Sequence, residues 1–189
     1  MTYDPDVHLN PGFFGHVADG VVDLWIDDEF TKRQVRFIYN ALDDYGLEII
    51  EHDRRKDADF RVIYSELIDE AAPGVVGRST SYWFRDLTKI QLSTRNEKKF
   101  DRFLINHEVG HSLGLAHRFN DKVSDTVMNY PSLSQIRDGR AARRLTPFDR
   151  QNIRNFLEYV QSTEQKNTII DDEITGEHYC GAHCNHTFD

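Results

Sequence analysis

The chain has 189 residues, a formal net charge of −9 at pH 7 and a hydrophobic content of 39%. This length suits one domain, or one domain with tails, that can bury a sizeable core. An acidic chain is a poor general binder of nucleic acids and anionic membranes, because both are polyanions, so we expect neither as a partner.

No stretch of the sequence is typical of a targeting or membrane-spanning segment. Residues 1–20 lack a basic region followed by an apolar one, so we expect no secretory signal peptide. The apolar stretches are short and interrupted by charges, so we expect no membrane span. These features favour a cytoplasmic protein, or one packaged in an assembly. The alternatives are export by another route and earlier removal of a leader.

The first half of the chain alternates strand and helix patterns. Residues 1–20 are rich in Gly, Pro, Asp and Asn and are expected to form an extended arm, and residues 21–27 alternate as a strand does. Apolar side chains then recur at the spacing of one helical face: Phe30, Val35, Ile38 and Leu42. Asp27 or Asp28 is the predicted N-cap of this helix, and Gly46 marks its end.

Further strands precede a second long helix. Four strand-like stretches are predicted at 47–52, 59–65, 75–84 and 89–94. A helix is predicted over 98–115, with apolar side chains able to pack on a sheet: Phe100, Phe103, Leu104 and Val109. Residues 116–145 are predicted to be irregular.

A last helix is predicted over about 147–161. Thr146 is its expected N-cap, Pro147 its first residue, and Asp149 lies near its positive end. The chain thus divides into an N-terminal arm, a central domain and an acidic tail with a Cys/His cluster, over 1–20, 21–162 and 163–189. The order of elements favours the α+β class.

The segment HEVGHSLGLAH, residues 107–117, contains a pattern of metal ligands. His107 and His111 are four residues apart, so on a helix they share a face and can bind one metal ion. Glu108 lies beside them and can deprotonate a metal-activated water as a general base. Gly114 allows a sharp turn after the helix, so His117 can return as a third ligand. Three protein ligands leave a position for water, as catalytic zinc sites do.

This segment resembles the extended HExxHxxGxxH zinc motif of the metzincin metallopeptidases. Met128, eleven residues after His117 within TVMNY, is similar to the Met-turn of that clan. Softer similarities to matrixins lie in ADFRVIYSE, GVVGRS and LTPFDRQNIRNFLEYV. The resemblance implies a metzincin-like catalytic domain. Its mixed, twisted sheet would carry two long helices, one of them the active-site helix, and a smaller C-terminal part would hold the Met-turn and the final helix.

The resemblance also implies a function, that of a zinc-dependent endopeptidase. Zn²⁺ would be bound by His107, His111 and His117, with Glu108 as general base. A peptide or protein substrate would bind in extended form along the edge strand near 75–84, by β-augmentation. The residues from Pro131 onward would line the pocket for the side chain after the cut.

Tyr130 has two interpretations. In the astacin and serralysin branches, a tyrosine two residues after the Met-turn methionine ligates zinc and then stabilises the oxyanion, and Tyr130 has this offset. The alternative is a tyrosine that packs under the loop. Arg118 departs from the astacin pattern, which has Glu after the third His, so the resemblance is to a matrixin-like or generic metzincin.

The tail contains a second group of potential ligands: His178, Cys180, His183, Cys184 and His186. Thiolate and imidazole together suit Zn²⁺. The group can bind a second zinc, can fold back and block the catalytic zinc, or can bind no metal, as a mobile segment or a local disulfide. If it inhibits, deletion of 171–189 raises peptidase activity.

Two weaker patterns and a rival function complete the predictions. The four arginines of IRDGRAARR, residues 136–144, form either a solvated loop or a basic wall of the substrate pocket. Acidic residues occur in several places, but none has the spacing of a calcium loop, so Ca²⁺ binding is undetermined. The rival function is a metzincin-fold structural or docking module of a larger assembly, such as a virus particle or secretion apparatus. Glu108 argues against it, because a purely structural zinc site does not require a general base.

Overall fold

A five-stranded sheet forms the centre of the computed structural model, which describes residues 4–66, 75–82, 85–119 and 122–164. The strands are β1 (Val21–Ile26), β2 (Glu48–Glu51), β3 (Phe60–Tyr64), β4 (Gly77–Tyr82) and β5 (Leu87–Leu92). Their order in the sheet is β2-β1-β3-β5-β4. Four strands are parallel, and β4 pairs antiparallel with β5 at one edge, with Gly77 opposite Leu92. All five predicted strands are present, with ends shifted by one to a few residues.

The described helices are α1 (Lys32–Asp43), α2 (Lys98–Ser112), α3 (Leu133–Arg137) and α4 (Pro147–Glu164). The α+β prediction is therefore confirmed. The short helix α3 lies inside the segment predicted to be irregular, where a capping box between Ser132 and Gln135 starts it. None of the described helices is long and apolar enough to cross a membrane.

The start of α1 differs from the prediction. Thr31, not Asp27 or Asp28, is the N-cap, and it forms a capping box with Gln34. The Asp27 carboxylate instead accepts a hydrogen bond from the backbone N–H of Glu29 at 3.3 Å, which stabilises the turn before the helix. The prediction was wrong because aspartate caps turns as readily as helices.

The N-terminal segment packs on the domain. The expected extended conformation is not found at 11–13 and 15–17, which form 3-10 turns. The backbone N–H of Leu9 donates to Gly114 O at 2.8 Å, directly after α2. Phe14 is buried, and its ring meets that of Phe156 edge-on at 5.4 Å. Residues 7–17 therefore support the turn that follows α2.

One hydrophobic core joins the sheet, α1, α2 and α4. Its fully buried members include Val22, Phe60 and Ile90 from the sheet, and Phe37, Phe103 and Phe156 from the helices. Burial of each large side chain contributes about 1.5–3 kcal/mol. Because α2 packs against both β4 and β5, its position relative to the sheet edge is fixed by this core.

Candidate metal centre

The helix α2 directs three chemically active side chains into the protein. His107 and Glu108 are fully buried and His111 is 2% exposed. The two histidines lie one helical turn apart, so their rings meet at a centroid distance of 4.8 Å. The predicted sharing of one helix face by His107 and His111 is what the structure shows.

The turn after α2 returns the third histidine. Gly114 has a φ of +92°, which side chains other than that of glycine rarely allow. A Cβ atom there would also overlap the ring of Phe156, so both the backbone conformation and the packing require glycine. His117 then approaches His111, with 2.7 Å between the two Nε2 atoms. Ligand atoms of all three histidines lie within 4.8 Å of one another. Among the described residues, this is the one group of three or more His, Cys, Asp or Glu side chains with such geometry.

Backbone carbonyls orient two of the rings. His107 Nδ1 lies 2.7 Å from Val127 O, and His111 Nδ1 lies 2.8 Å from Leu115 O. A carbonyl oxygen only accepts, so in each ring Nδ1 carries the proton and Nε2 presents a lone pair. Metal-ligating histidines are typically held in this way.

Glu108 lies beside the histidines in a confined space. Neither carboxylate oxygen has a hydrogen-bond partner, although both are buried. A Cβ atom at Gly77, the first residue of β4, would overlap this carboxylate, so the glycine makes room for it. Burial raises the pKa of the Glu108 carboxyl to about 8, and the charge of Arg78 partly opposes this. An unpaired buried carboxylate is costly, so the site favours a cation or a hydrogen-bond donor beside it.

The loop below the histidines is held by a buried carboxylate. Asp149 is fully buried and accepts hydrogen bonds from the Thr126 hydroxyl, the Val127 N–H and the Thr146 N–H. Val127 in turn offers its carbonyl to His107. The Thr146 cap predicted for α4 is also present, since its hydroxyl accepts from the Asp149 N–H at 3.3 Å. Asp149 therefore connects the start of α4 to a candidate metal ligand.

Met128 lies in this loop. It is 2% exposed, and its sulfur would collide with a Cβ atom at Gly110 of α2. Its carbonyl accepts a hydrogen bond from the Arg118 N–H at 3.0 Å, which ties the loop to the residue after His117. The packing of Met128 on α2 fixes the loop relative to His107 and His111, and this hydrogen bond fixes it relative to the segment that holds His117.

Tyr130 reaches the histidine group from the far end of the same loop. Its hydroxyl lies 2.8 Å from His117 Nε2. Burial, and secondarily the charge of Glu108, raise the pKa of this hydroxyl, so it stays protonated near neutral pH. Phe119 stacks on the Tyr130 ring at 5.0 Å and is 73% exposed.

Three of these residues were missed as site residues in the sequence. Gly77 lies within GVVGRS, which was singled out only as a matrixin-like stretch, Phe119 has no motif around it, and Asp149 was predicted only to lie near a helix end. Gly77 and Asp149 act through contacts with distant parts of the chain, with Glu108 and Val127 respectively. An isolated glycine at a strand start is a weak indicator of close approach by another group.

The remaining predicted site residues are those of the tail and of the basic segment at 136–144. His178, Cys180, His183, Cys184 and His186 lie outside the described residues. In the basic segment at 136–144, Arg143 and Arg144 lie close to Arg102 of α2, which faces α1.

No protein-family model and no curated protein matches the sequence significantly. Among solved structures, the chain is similar to high choriolytic enzyme 1, a hatching enzyme zinc-protease from the medaka fish Oryzias latipes. The TM-score is 0.46 and the sequence identity 15%, over 75% of this chain and 91% of that chain. Such a distant likeness carries no functional argument, so function rests on the geometry of the site.

Proposed function

We propose that this protein is a zinc-dependent endopeptidase of the metzincin type, with a matrixin-like domain. The observation that carries the proposal is the convergence of His107, His111 and His117 beside the buried, unpaired carboxylate of Glu108. A purely structural zinc site would be closed by a fourth protein ligand, whereas three ligands with an adjacent carboxylate are typical of catalytic sites.

The residues present fit a zinc ion. His107 and His111 carry their protons on Nδ1, so two Nε2 lone pairs face the shared space. The 2.7 Å approach of the His111 and His117 Nε2 atoms is favourable only with a proton or a cation between the rings. Neutral imidazole nitrogens are among the preferred ligands of Zn²⁺.

The chain supplies the proton transfers of peptide hydrolysis. When bound, Zn²⁺ would act as a Lewis acid and lower the pKa of water to about 7. Glu108 accepts the proton of the attacking water and then donates it to the leaving amine. The buried site keeps bulk water from competing for this carboxylate. The Tyr130 hydroxyl, protonated and close to His117, is placed to donate a hydrogen bond to the developing oxyanion.

The edge of the sheet is the proposed binding place of the peptide. The strand β4 pairs on one side with β5, and no described strand pairs with its other side. An extended peptide can therefore add to β4 through main-chain hydrogen bonds. Gly77, at the start of β4, contacts Glu108, so a peptide on this edge passes close to the general base.

Two features beside the histidines are suited to side chains of the substrate. A small pocket of about 70 Å³ is lined by Phe13, Ser79, Ser81 and His111, between the N-terminal segment and β4. On the other side of His117, the exposed ring of Phe119 extends the aromatic surface of Tyr130. These features favour a small side chain in the pocket and an apolar one against Phe119.

The substitution Glu108→Ala tests the proposal. We expect cleavage of a peptide library to fall about 10²–10⁴-fold, because the proton acceptor is lost. The zinc content, measured by elemental analysis, stays at that of the unmodified protein. If neither protein cleaves any peptide while both retain zinc, the structural or docking module is the correct function.

The tail is tested by zinc content as well. A 1–170 truncation removes its five potential ligands, which lie outside the described residues. A fall from two zinc ions per chain to one indicates a second zinc in the tail. One zinc in both proteins, with higher activity in the truncation, indicates a tail that blocks the site.

A further inference from the structure

A second concave pocket lies between α1 and α2, away from the three histidines. Its volume is about 260 Å³, slightly below the ~300–1,000 Å³ of typical small-molecule pockets. Its lining includes Phe37 and Asn40 of α1, Arg102 and Asn106 of α2, and Arg144 from the segment before α4. None of the three histidines lines it, so a ligand here is separate from the proposed metal centre.

Positive charge is concentrated around this pocket. The Arg102 guanidinium stacks on the Phe37 ring, with its carbon 4.8 Å from the ring centroid. Burial lowers the pKa of Arg102, and repulsion by three further guanidinium groups lowers it again: those of Arg144, Arg143 and Arg36. Arg102 is therefore surrounded by three further cationic groups, which come from α1 and from the segment before α4.

No carboxylate of the described residues forms a salt bridge with this group. Asp43 and Asp44 also line the pocket. Asp44 pairs with Arg150 at 3.1 Å, a cation outside the cluster. Among the salt bridges of the described residues, none involves any of the four clustered arginines. The four arginines thus form no ion pair among the described residues, and Asp43 is the one lining carboxylate that no salt bridge pairs with another cation.

Asn106, one of the residues that line the pocket, has a buried acceptor without a donor. Asn106 is 4% exposed, and its side-chain nitrogen donates to Arg102 O at 2.7 Å and to Arg143 O at 3.2 Å. These two bonds fix the orientation of the amide. Its Oδ1 is buried and has no hydrogen-bond partner. A ligand that suits this pocket brings negative charge together with a hydrogen-bond donor such as an O–H group.

We propose that this pocket binds a small phosphate-type anion, either inorganic phosphate or a phosphate monoester that carries a hydroxyl group. The guanidinium groups bind the anionic oxygens in the planar geometry that suits oxyanions. Asn106 Oδ1 accepts the hydrogen bond of the ligand hydroxyl. The stacking of Arg102 on Phe37 holds one guanidinium in place before the ligand binds.

The test is a calorimetric titration of the full, zinc-loaded chain at pH 7.5. Inorganic phosphate, glycerol phosphate and sulfate are each titrated separately. Sulfate has the charge and shape of phosphate but no O–H at this pH. The informative variant is Arg144→Ala, since Arg144 is exposed and its removal should leave the fold intact. The matched control is Arg140→Ala, in the same segment but paired with Asp138 at 3.1 Å.

We expect phosphate to bind at millimolar concentration or below, and Arg144→Ala to weaken it about tenfold or more. Arg140→Ala should bind phosphate as the unmodified chain does, and sulfate should bind about tenfold more weakly than phosphate. Tighter binding of glycerol phosphate than of inorganic phosphate identifies a monoester as the ligand, and the reverse identifies free phosphate.

Three results would overturn the proposal. The first is no phosphate binding at tens of millimolar, which leaves a solvated basic surface only. The second is binding that Arg144→Ala does not change, which places the phosphate on the zinc ion. The third is equal affinity for sulfate and phosphate, which removes the role of Asn106. None of these results depends on whether the chain hydrolyses peptides.

Discussion

Two faces of α2 present opposite chemistry. The face toward β4 and the loop at 126–130 holds imidazole lone pairs and a buried carboxylate, which suit a cation. The face toward α1 holds Arg102 and Asn106 beside further guanidinium groups, which suit an anion. Adjacent residues serve different faces, because each step along a helix rotates the side chain by about 100°.

The difference between these two faces shows how one helix, α2, can separate a site for a cation from a site for an anion. His107 follows Asn106 directly, yet they contribute to different surroundings. The hydrophobic core around α2, with Phe103 and Leu104 fully buried, fixes the rotation of the helix about its axis. If the two regions are independent, substitutions on one face leave the ligand of the other face unaffected.

The largest effect is expected for His111→Ala. Loss of one of three ligands should remove zinc and lower peptidase activity by about 10³-fold or more, because the Lewis acid is lost with the metal. Zinc content and peptide cleavage measure this. His52→Ala, a half-buried histidine that pairs with Asp23, is the matched control and should retain both. Phosphate binding should be equal in all three proteins, and a parallel loss would show that the two faces are coupled.

Asp149→Ala should destabilise the metal face from a distance. Its buried carboxylate accepts hydrogen bonds from the Thr126 hydroxyl and from the N–H groups of Val127 and Thr146. Loss of the carboxylate therefore leaves these donors unpaired. We expect a loss of about 3 kcal/mol in the free energy of unfolding. Because Val127 orients His107, zinc affinity should also fall about tenfold.

Denaturant unfolding and competition with a chelator measure these two quantities for Asp149→Ala. Asp125→Ala, an exposed neighbour in the same loop, is the control and should change neither. Reduced stability with unchanged zinc affinity would refute the positioning of His107 by Asp149 while leaving its structural role.

Gly77→Ala should act on the carboxylate of the same face. The added methyl group would overlap the Glu108 side chain, so either β4 or the carboxylate must move. We expect kcat to fall about tenfold, because a displacement of about 1 Å at the general base slows proton transfer from the attacking water. Gly12→Ala, where a Cβ would make only ordinary contact at 3.5 Å, is the control. A normal kcat in Gly77→Ala would contradict the assigned place of Glu108.

The smallest effect on peptide cleavage is expected for the double reversal Arg143→Glu and Arg144→Glu. These side chains belong to the cluster around Arg102, not to the histidine group, so cleavage preference on a peptide library should stay within about twofold. Phosphate binding should be lost in the same protein. A changed preference for acidic side chains would show instead that these arginines form a wall of the substrate pocket.

The metal face was largely predictable because its ligands lie close together in sequence. His107 and His111 are related by helix periodicity, and Gly114 and His117 by the need to end the helix and turn back. The strands were predicted from alternation and composition. The cap of α1 and the helix α3 were not predicted, since Asp and Thr compete for caps and a five-residue helix has little periodicity.

The sequence by itself determined which residues converge on one face of α2 and that the chain must turn sharply at Gly114. Only the tertiary structure decided that Gly77 makes room for Glu108, that Asp149 holds the loop behind His107, and that Arg144 approaches Arg102. The physical reason is separation along the chain. Local spacing follows from backbone geometry, whereas contacts between residues that are more than 20 positions apart, such as Asp149 and Val127, depend on how the whole core packs.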